Sequence, residues 1–300
     1  MTYEHGTTAK RLPSWMRRPL ARTGEFDAVT GLLDSLDLHT VCAEAKCPNR
    51  GECFASGTAT FLVAGDVCTR GCRFCAVETR SPLPLDTGEP ARVAEAVARL
   101  GLTHAVVTMV TRDDLEDGAA GHVVATIAAI RAAAPDAAVE VLVSDFGGNE
   151  AAIDAVADAG PDVFNHNLET VPRLYASVRP GADYARSLRV LARAKERAPG
   201  MPTKSGLMLG LGEAPDEVLE VMRDLRAVGC DLLTLGQYLR PSAQHLPVAE
   251  FVEPAAFAAY ARDGRRLGFA GVASAPFVRS SYHAGELADD THGASSHAPG

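Results

Sequence analysis

From residue 60 onward six short apolar or β-branched runs alternate with longer amphipathic segments. The runs fall near 60–65, 104–109, 139–144, 162–165, 203–209 and 231–236. Strands that are apolar on both faces and separated by helices form a parallel sheet with helices packed outside it. The helices carry matching punctuation. Pro90 opens PARVAEAVARLG and Gly101 ends it, and Pro215 and Gly229 do the same for APDEVLEVMRDLRAVG. Six βα units fall short of the eight that close a full barrel. The expected fold class is therefore α/β, a partial (β/α)6 TIM-like barrel whose gap admits a large substrate, with its working residues at the C-terminal ends of the strands.

The remaining features bound the setting. At 300 residues and 47% hydrophobic, with mean hydropathy +0.01, the chain can bury one large core or two modest ones, and a single barrel-sized domain is the simplest reading. Its longest apolar stretches, 203–211 and 231–235, are interrupted by Lys204, Gly206 and Gly210 or flanked by Asp231, short of the roughly 20 residues of a membrane span. No membrane association is expected. The opening MTYEHGTTAKR lacks the apolar core of a secretory signal, so a cytoplasmic location is expected. The net charge of −9 argues against nucleic acid as a partner. Positive charge is concentrated in an N-terminal arm at Lys10, Arg11, Arg17, Arg18 and Arg22, which reads equally as a solvated tail or a docking element. The expected organisation is an arm and cysteine-rich segment over 1–58 with one helix near Phe26–Leu36, the barrel over 59–270, a C-terminal segment over 271–286, and a disordered tail over 287–300 whose His292 and His297 are inert.

Seven cysteines in a chain expected in the cytoplasm mean metal or catalysis rather than disulfides. Cys68, Cys72 and Cys75 form CxxxCxxC in VCTRGCRFCAV, directly after the first barrel strand. Three thiolates neither complete a four-ligand zinc site nor cap all four irons of a [4Fe–4S] cluster, so one iron stays open. The bacterial ferredoxin run has a different spacing. CxxxCxxC resembles the radical S-adenosylmethionine (SAM) superfamily. The resemblance implies that the open iron is chelated by the amino and carboxylate groups of SAM, and that an electron from the cluster breaks a carbon–sulfur bond to give a 5′-deoxyadenosyl radical. Cys42, Cys47 and Cys53 form a second triad, CxxxxCxxxxxC, again without a fourth ligand, and point to a second cluster. Cys230, just before the sixth strand, reads as a buried structural thiol.

The run CAEAKCPNRGECFASGTATFLVAGDVCTRGCRFCAV is similar to the lipoyl synthase family, with both triads in family spacing. Similarity continues through RDDLEDG, FNHNLET, PTKSGLMLGLGE, LGQYLRPS and VRSSYHAGE and covers residues 12–286. Two [4Fe–4S] clusters and SAM are the implied cofactors. Cys42, Cys47 and Cys53 are implied to hold an auxiliary cluster whose fourth ligand is a serine of Arg279–Ser280–Ser281–Tyr282, and Ser281 is the expected one. An alkoxide suits soft iron poorly and leaves once protonated, which fits a cluster that is consumed as a sulfur donor. The implied activity is insertion of two sulfur atoms at C6 and C8 of an octanoyl chain on a lysine of a lipoyl carrier domain, with two SAM molecules cleaved. Implied partners are octanoylated 2-oxoacid dehydrogenase E2 lipoyl domains or glycine cleavage H protein, an electron donor such as flavodoxin or ferredoxin, and an iron–sulfur cluster repair protein.

Within the barrel, GLMLGLGE, Gly206 to Glu213, fits a GxIxGxxE pattern that lines the adenine in related radical enzymes, with Met208 in the Ile place. Gly210 and Glu213 are cofactor-binding candidates from it. NHNLET offers Asn165, His166, Asn167 and Glu169, of which Asn167 and Glu169 are implied cofactor contacts and His166 reads equally as a core histidine. Asp113 and Asp114 of TRDDL either orient the methionine amine or cap the next helix, and Arg179 and Lys204 are candidates for a carboxylate or the ribose. Met109 and Ser144 depart from the family pattern and bear on pocket shape. A biotin synthase-like enzyme and a simple electron carrier are the rival readings. The CxxxxCxxxxxC and RSSY pairing disfavours the first, and a barrel with an adenine motif disfavours the second.

Overall fold

The computed structural model describes residues 12–17, 24–41, 49, 52–53, 59–281 and 284–288. Ten strands are named here in chain order: β1 His39–Thr40, β2 Thr60–Val63, β3 Val67–Cys68, β4 Glu78–Thr79, β5 His104–Met109, β6 Ala138–Leu142, β7 Val163–Asn165, β8 Thr203–Leu209, β9 Leu232–Gln237 and β10 Gly271–Ser274. Eight of them form one sheet in the order β1-β2-β5-β6-β7-β8-β9-β10. All neighbours are parallel except β1, which pairs antiparallel with β2. The sequence order is kept in space and the described edge strands do not pair with each other, so this is the partial barrel that the alternating pattern predicts.

The structure differs from the expectation in two places. Gly271–Ser274 adds a seventh parallel strand, so the segment assigned to a C-terminal extension opens inside the sheet. Its run GVAS carries too little β-branched or aromatic bulk to announce a strand. Residues 287 and 288, expected to lie in a disordered tail, belong instead to a helical segment. Residues 284–288 are helical, and Leu287 and Ala288 are buried against Val163 and Leu232.

Those contacts give the path of the chain after β10. Val163 and Leu232 start β7 and β9, and the ring of His104, which starts β5, lies 3.4–3.7 Å from where a Cβ on Gly285 would stand. Residues 284–288 therefore close the N-terminal end of the barrel. Residues 275–281 lead from the C-terminal end of β10 back along the inner face of the sheet. Ser280 lies beside Gly206 of β8, and the Val278 carbonyl is pressed against Gly236 of β9. Side chains alternate along a strand, so Gly236 shares the inward row with Thr234 and Leu232.

Outside the sheet, the helices Glu150–Asp158 and Tyr184–Arg197 are joined by Arg189–Glu150, Arg193–Asp154 and Arg197–Asp158 ion pairs, a four-residue step on both helices that keeps the pairs on one face. Inside, Lys204 and Glu140 are both fully buried and joined by two 3.0 Å hydrogen bonds, with Asn165 donating to Glu140 at 2.9 Å. Burial pushes the Glu140 carboxyl up, but Lys204, His104 and Asn165 outweigh it and hold it below the usual carboxylate range.

A methyl group at Gly236 has no room, because its nearest neighbour is backbone rather than a mobile side-chain end. Gly236→Ala should displace residues 276–281 and cost about 1–3 kcal/mol. Thermal unfolding, with proteolysis confined to the C-terminal segment, is the measurement.

Candidate functional site

A cavity of 990 Å³ opens where the C-terminal ends of the strands converge. Its wall includes Cys68, Cys72 and Cys75, the strand-end residues His166, Asn167 and Glu169, Arg179, and Ser280 and Ser281 of the C-terminal segment. Met109 and Ser144, the two departures from the family pattern, also line it.

The cysteine loop is aimed by the chain reversal after β2. Ala64 and Gly65 have φ of 67° and 102°, and for Ala64 that left-handed geometry is strained. Two buried groups hold it. The Glu89 carboxylate accepts from the Ala64 N–H at 2.8 Å and is paired with His122 at 2.6 Å, while Arg112 donates to the Ala64 carbonyl at 3.0 Å.

From there the loop is tied to four strand-end connections. Arg70, between Cys68 and Cys72, makes two 2.7 Å hydrogen bonds to Asp113 after β5 and a 2.7 Å ion pair with Asp145 after β6. The Arg73 N–H donates to Val178 O at 2.9 Å after β7. After β9, the Leu246 N–H donates to Arg73 O at 3.1 Å and His245 Nε2 donates to Cys75 O at 2.9 Å. The Ser242 hydroxyl, 2.8 Å from His245 Nδ1, meets the other ring nitrogen. Burial pushes the Cys75 thiol up to about 12 and also raises Cys72, so loading a metal here releases protons.

Opposite the loop, Asn167 Nδ2 donates to Ser280 Oγ at 2.6 Å and to Glu169 Oε1 at 3.1 Å. Glu169 has φ of 66°, a strained backbone for a non-glycine residue, and burial pushes its carboxyl above the ordinary range. Arg179 Nη1 is held by the carbonyls of Asn167 and Leu168, each at 3.0 Å. His166 Nδ1 donates to the Val143 carbonyl at 2.8 Å, so the neutral ring presents Nε2 as an acceptor. Burial, with the Arg179 charge, lowers its pKa to about 4 and keeps it neutral at ordinary pH.

The residues fit a polar cofactor beside an iron–sulfur cluster. His166 Nε2, Asn167 Oδ1 and Arg179 Nε are buried without a hydrogen-bond partner among the described residues, and all three residues face the cavity. Buried polar atoms are rarely left so unless a ligand or ordered water completes them. Among the described residues no three His, Cys, Asp or Glu side chains close around a single metal ion.

Other sequence candidates lie elsewhere. Lys204, expected at a carboxylate or ribose, is committed to Glu140 two residues below Gly206 on the inward row and does not reach the cavity. Gly210 and Glu213 do not line it either. The Glu213 carboxylate accepts from the backbone N–H groups of Gly210 and Leu211, and Gly210, at φ 94°, is packed against the Gln237 amide and the Glu250 carbonyl. From that motif Gly206, Leu207 and Met208 line the cavity. Asp113 and Asp114 are paired with Arg70 and Arg112, and the helix Ala120–Ala133 is capped by Asp117 instead. Cys230 is buried, as expected of a structural thiol. Cys53 is described, whereas Cys42, Cys47 and Tyr282 lie outside the described residues. The sequence reading missed Arg70, Asp145 and His245. Arg70 sits inside the CxxxCxxC motif, which is its only signal, and strand-end loops are where Asp145 and His245 had to be sought.

Burial pushes the Asp145 carboxyl up, but the hydrogen bonds and charge of Arg70 outweigh this and bring it down to about 2. A carboxyl lowered by folding contributes stability that is full above its unfolded pKa near 4 and is lost as the pH falls through about 2. The contribution is on the order of 2 kcal/mol. Arg70→Gln should destabilise by about 3 kcal/mol at pH 6 and flatten the acid dependence between pH 4 and 2, read by denaturant unfolding of the metal-free protein.

Comparison with known proteins agrees with the geometry. The model of the radical SAM superfamily matches residues 62–225. A lipoyl synthase of Syntrophotalea carbinolica is 56% identical over 284 residues, covering 94% of this chain and 91% of its own. One of Methylococcus capsulatus is 56% identical over 279 residues, covering 93% and 87%. Among solved structures, HydG, a maturase of the [FeFe]-hydrogenase, superposes with a TM-score of 0.56 at 17% identity over 70% of this chain and 50% of its own. Methylornithine synthase does so with a TM-score of 0.50 at 16% identity over 76% and 71%. These two show the fold alone. With cysteines, strand-end polar groups and serines around one cavity, and relatives of this identity over nearly its whole length, the chain belongs to the lipoyl synthase family of radical SAM enzymes.

Proposed function

We propose that Cys68, Cys72 and Cys75 hold the radical cluster, that Asn167, Glu169, Arg179 and His166 receive SAM beside it, and that Cys42, Cys47, Cys53 and Ser281 hold the auxiliary cluster. The enzyme is a sulfurtransferase that uses two [4Fe–4S] clusters and SAM to insert two sulfur atoms at C6 and C8 of an octanoyl group on a lipoyl carrier protein. The clusters supply the electron that cleaves SAM and the sulfur that is inserted. What supports the assignment is that Cys68, Cys72, Cys75 and Ser281 line one cavity, so radical generation and sulfur donation share a space.

The chain's own groups position and exclude. Arg179, a fixed cation beside Cys72, suits the methionine carboxylate, and Glu169 suits its amine. His166 Nε2 accepts from a hydroxyl or amine and cannot itself supply a proton at neutral pH. Leu12 and Met16 of the N-terminal arm cover part of the cavity and keep water from a reactive radical. Asn167 donates to Ser280, which supports Ser281 as the serine that would meet iron.

The carriers are octanoylated E2 lipoyl domains or glycine cleavage H protein. Electrons come from a flavodoxin or ferredoxin, a cluster repair protein refills the auxiliary site, and the enzyme works in the cytoplasm. No helix among the described residues is long and apolar enough to cross a membrane.

Anaerobic reconstitution should load about eight irons per chain. Replacing Cys68, Cys72 and Cys75 with alanine should abolish SAM cleavage. Ser281→Ala should retain cleavage and lose sulfur insertion to an octanoyl-lysine peptide by mass spectrometry. A Ser281→Ala protein that inserts sulfur at the normal rate overturns the ligand assignment.

The arm carries the positive charge that an acidic body lacks, and Trp15 and Arg17 are exposed beside the covered mouth. Charge reversal at Arg17 and Arg18 should raise the apparent KM for whole carrier protein several-fold while leaving that for a short octanoyl-lysine peptide unchanged.

A further inference from the structure

Asn49 lies between Cys47 and Cys53 in sequence and is 1% exposed. Its Nδ2 donates a 2.7 Å hydrogen bond to the carbonyl of Phe277, 228 residues further along the chain and four residues before Ser281. The receiving segment is itself fixed. The Gln237 N–H donates to Pro276 O at 3.2 Å, the Ala275 N–H to Leu235 O at 3.2 Å, and the Val278 N–H to Ala275 O at 3.0 Å. On the other side, the Asn49 carbonyl accepts from the Cys53 N–H at 2.9 Å, which sets that cysteine one helical turn away.

A single amide thus fastens Asn49, with Cys53 one turn from it, to the C-terminal serine segment using protein groups alone. Stability does not explain an amide there. Asn49 Oδ1 is buried and has no hydrogen-bond partner among the described residues, and a buried amide left half-satisfied is a poor stabiliser.

We propose that Asn49 is a positioning residue that keeps the two halves of the auxiliary site together when no cluster bridges them, the state left after the cluster has given up its sulfur. The proposal rests on the assignment of Cys42, Cys47, Cys53 and Ser281 as auxiliary ligands. Ligands from opposite ends of the chain lose closure entropy each time they reconverge, and a contact that survives cluster loss removes most of that cost. The predicted consequence is on refilling, not on radical formation.

The test strips the full-length protein of metal and refills it anaerobically with ferrous iron and sulfide, following iron content and SAM cleavage. Asn49→Asp removes the donor and sets a carboxylate against the Phe277 carbonyl. Asn49→Leu removes the donor while filling the same space. Both should take up the second set of four irons about tenfold more slowly than the unaltered protein, with the first four and SAM cleavage unchanged. Asn49→Leu should keep the thermal unfolding midpoint of the metal-free protein. Refilling at the unaltered rate in both variants overturns the proposal, and so does a fall in midpoint with equal loss of both sets of iron, which is the mark of a purely structural residue. Cys53→Ala separates the underlying assignment: a plateau near four irons upholds it whatever the Asn49 variants do, and a plateau near eight overturns it together with the proposal.

Discussion

A short loop that lines a cavity with three cysteines has little core of its own, so it must be held from outside. Arg70 resolves this. Its guanidinium lies in the loop, almost out of solvent, and its partners Asp113 and Asp145 belong to connections that follow two neighbouring strands. Burying that charge is unfavourable by itself, and the two carboxylates offset it. The same cation keeps Asp145 ionised, and Asp145 in turn caps its own turn by accepting from Gly147 N–H. Remove the cation and the loop, the turn and the cavity wall all lose a partner together, so the site's geometry depends on this one charge cluster more than on any apolar contact.

The inner face of the sheet is layered by polarity. At the base, Leu287 and Ala288 cover the strand starts; above them Glu140, Lys204 and Asn165 form a polar set; above that, Asn167, Ser280 and Glu169 open into the cavity. The middle layer pairs its charges internally and does not line the cavity. The upper layer does, and this access, rather than residue type, marks where the site begins.

Much of this was legible in the residues. The six apolar runs announced six strands because both faces of a parallel strand are buried, and CxxxCxxC announced three cysteines on one cavity wall because they are local in sequence. What depended on long-range pairing was not legible. Lys204 looked like an anion ligand until Glu140, 64 residues away, was brought to it. Gly210 and Glu213 matched an adenine pattern, yet their local hydrogen bonds close a turn instead. Asp113 and Asp114 presented two free carboxylates to a reader of the sequence, whereas each has an arginine in the fold. Gly271–Ser274 became a strand only because β9 offered it an edge.

Residues 275–281 and 284–288 lie inside a sheet that earlier residues build, and this imposes an order on biogenesis. The ribosome delivers Cys68, Cys72 and Cys75, and then their anchors as far as Leu246, before it delivers Ser281. A growing chain can therefore fold the CxxxCxxC loop against finished strand ends while the lumen is still empty. The serine segment enters last, as the final piece set into a preformed shell, and residues 284–288 seal the base behind it. The part of the cavity wall that Ser280 and Ser281 form is thus complete only after the barrel has closed around residues 275–281.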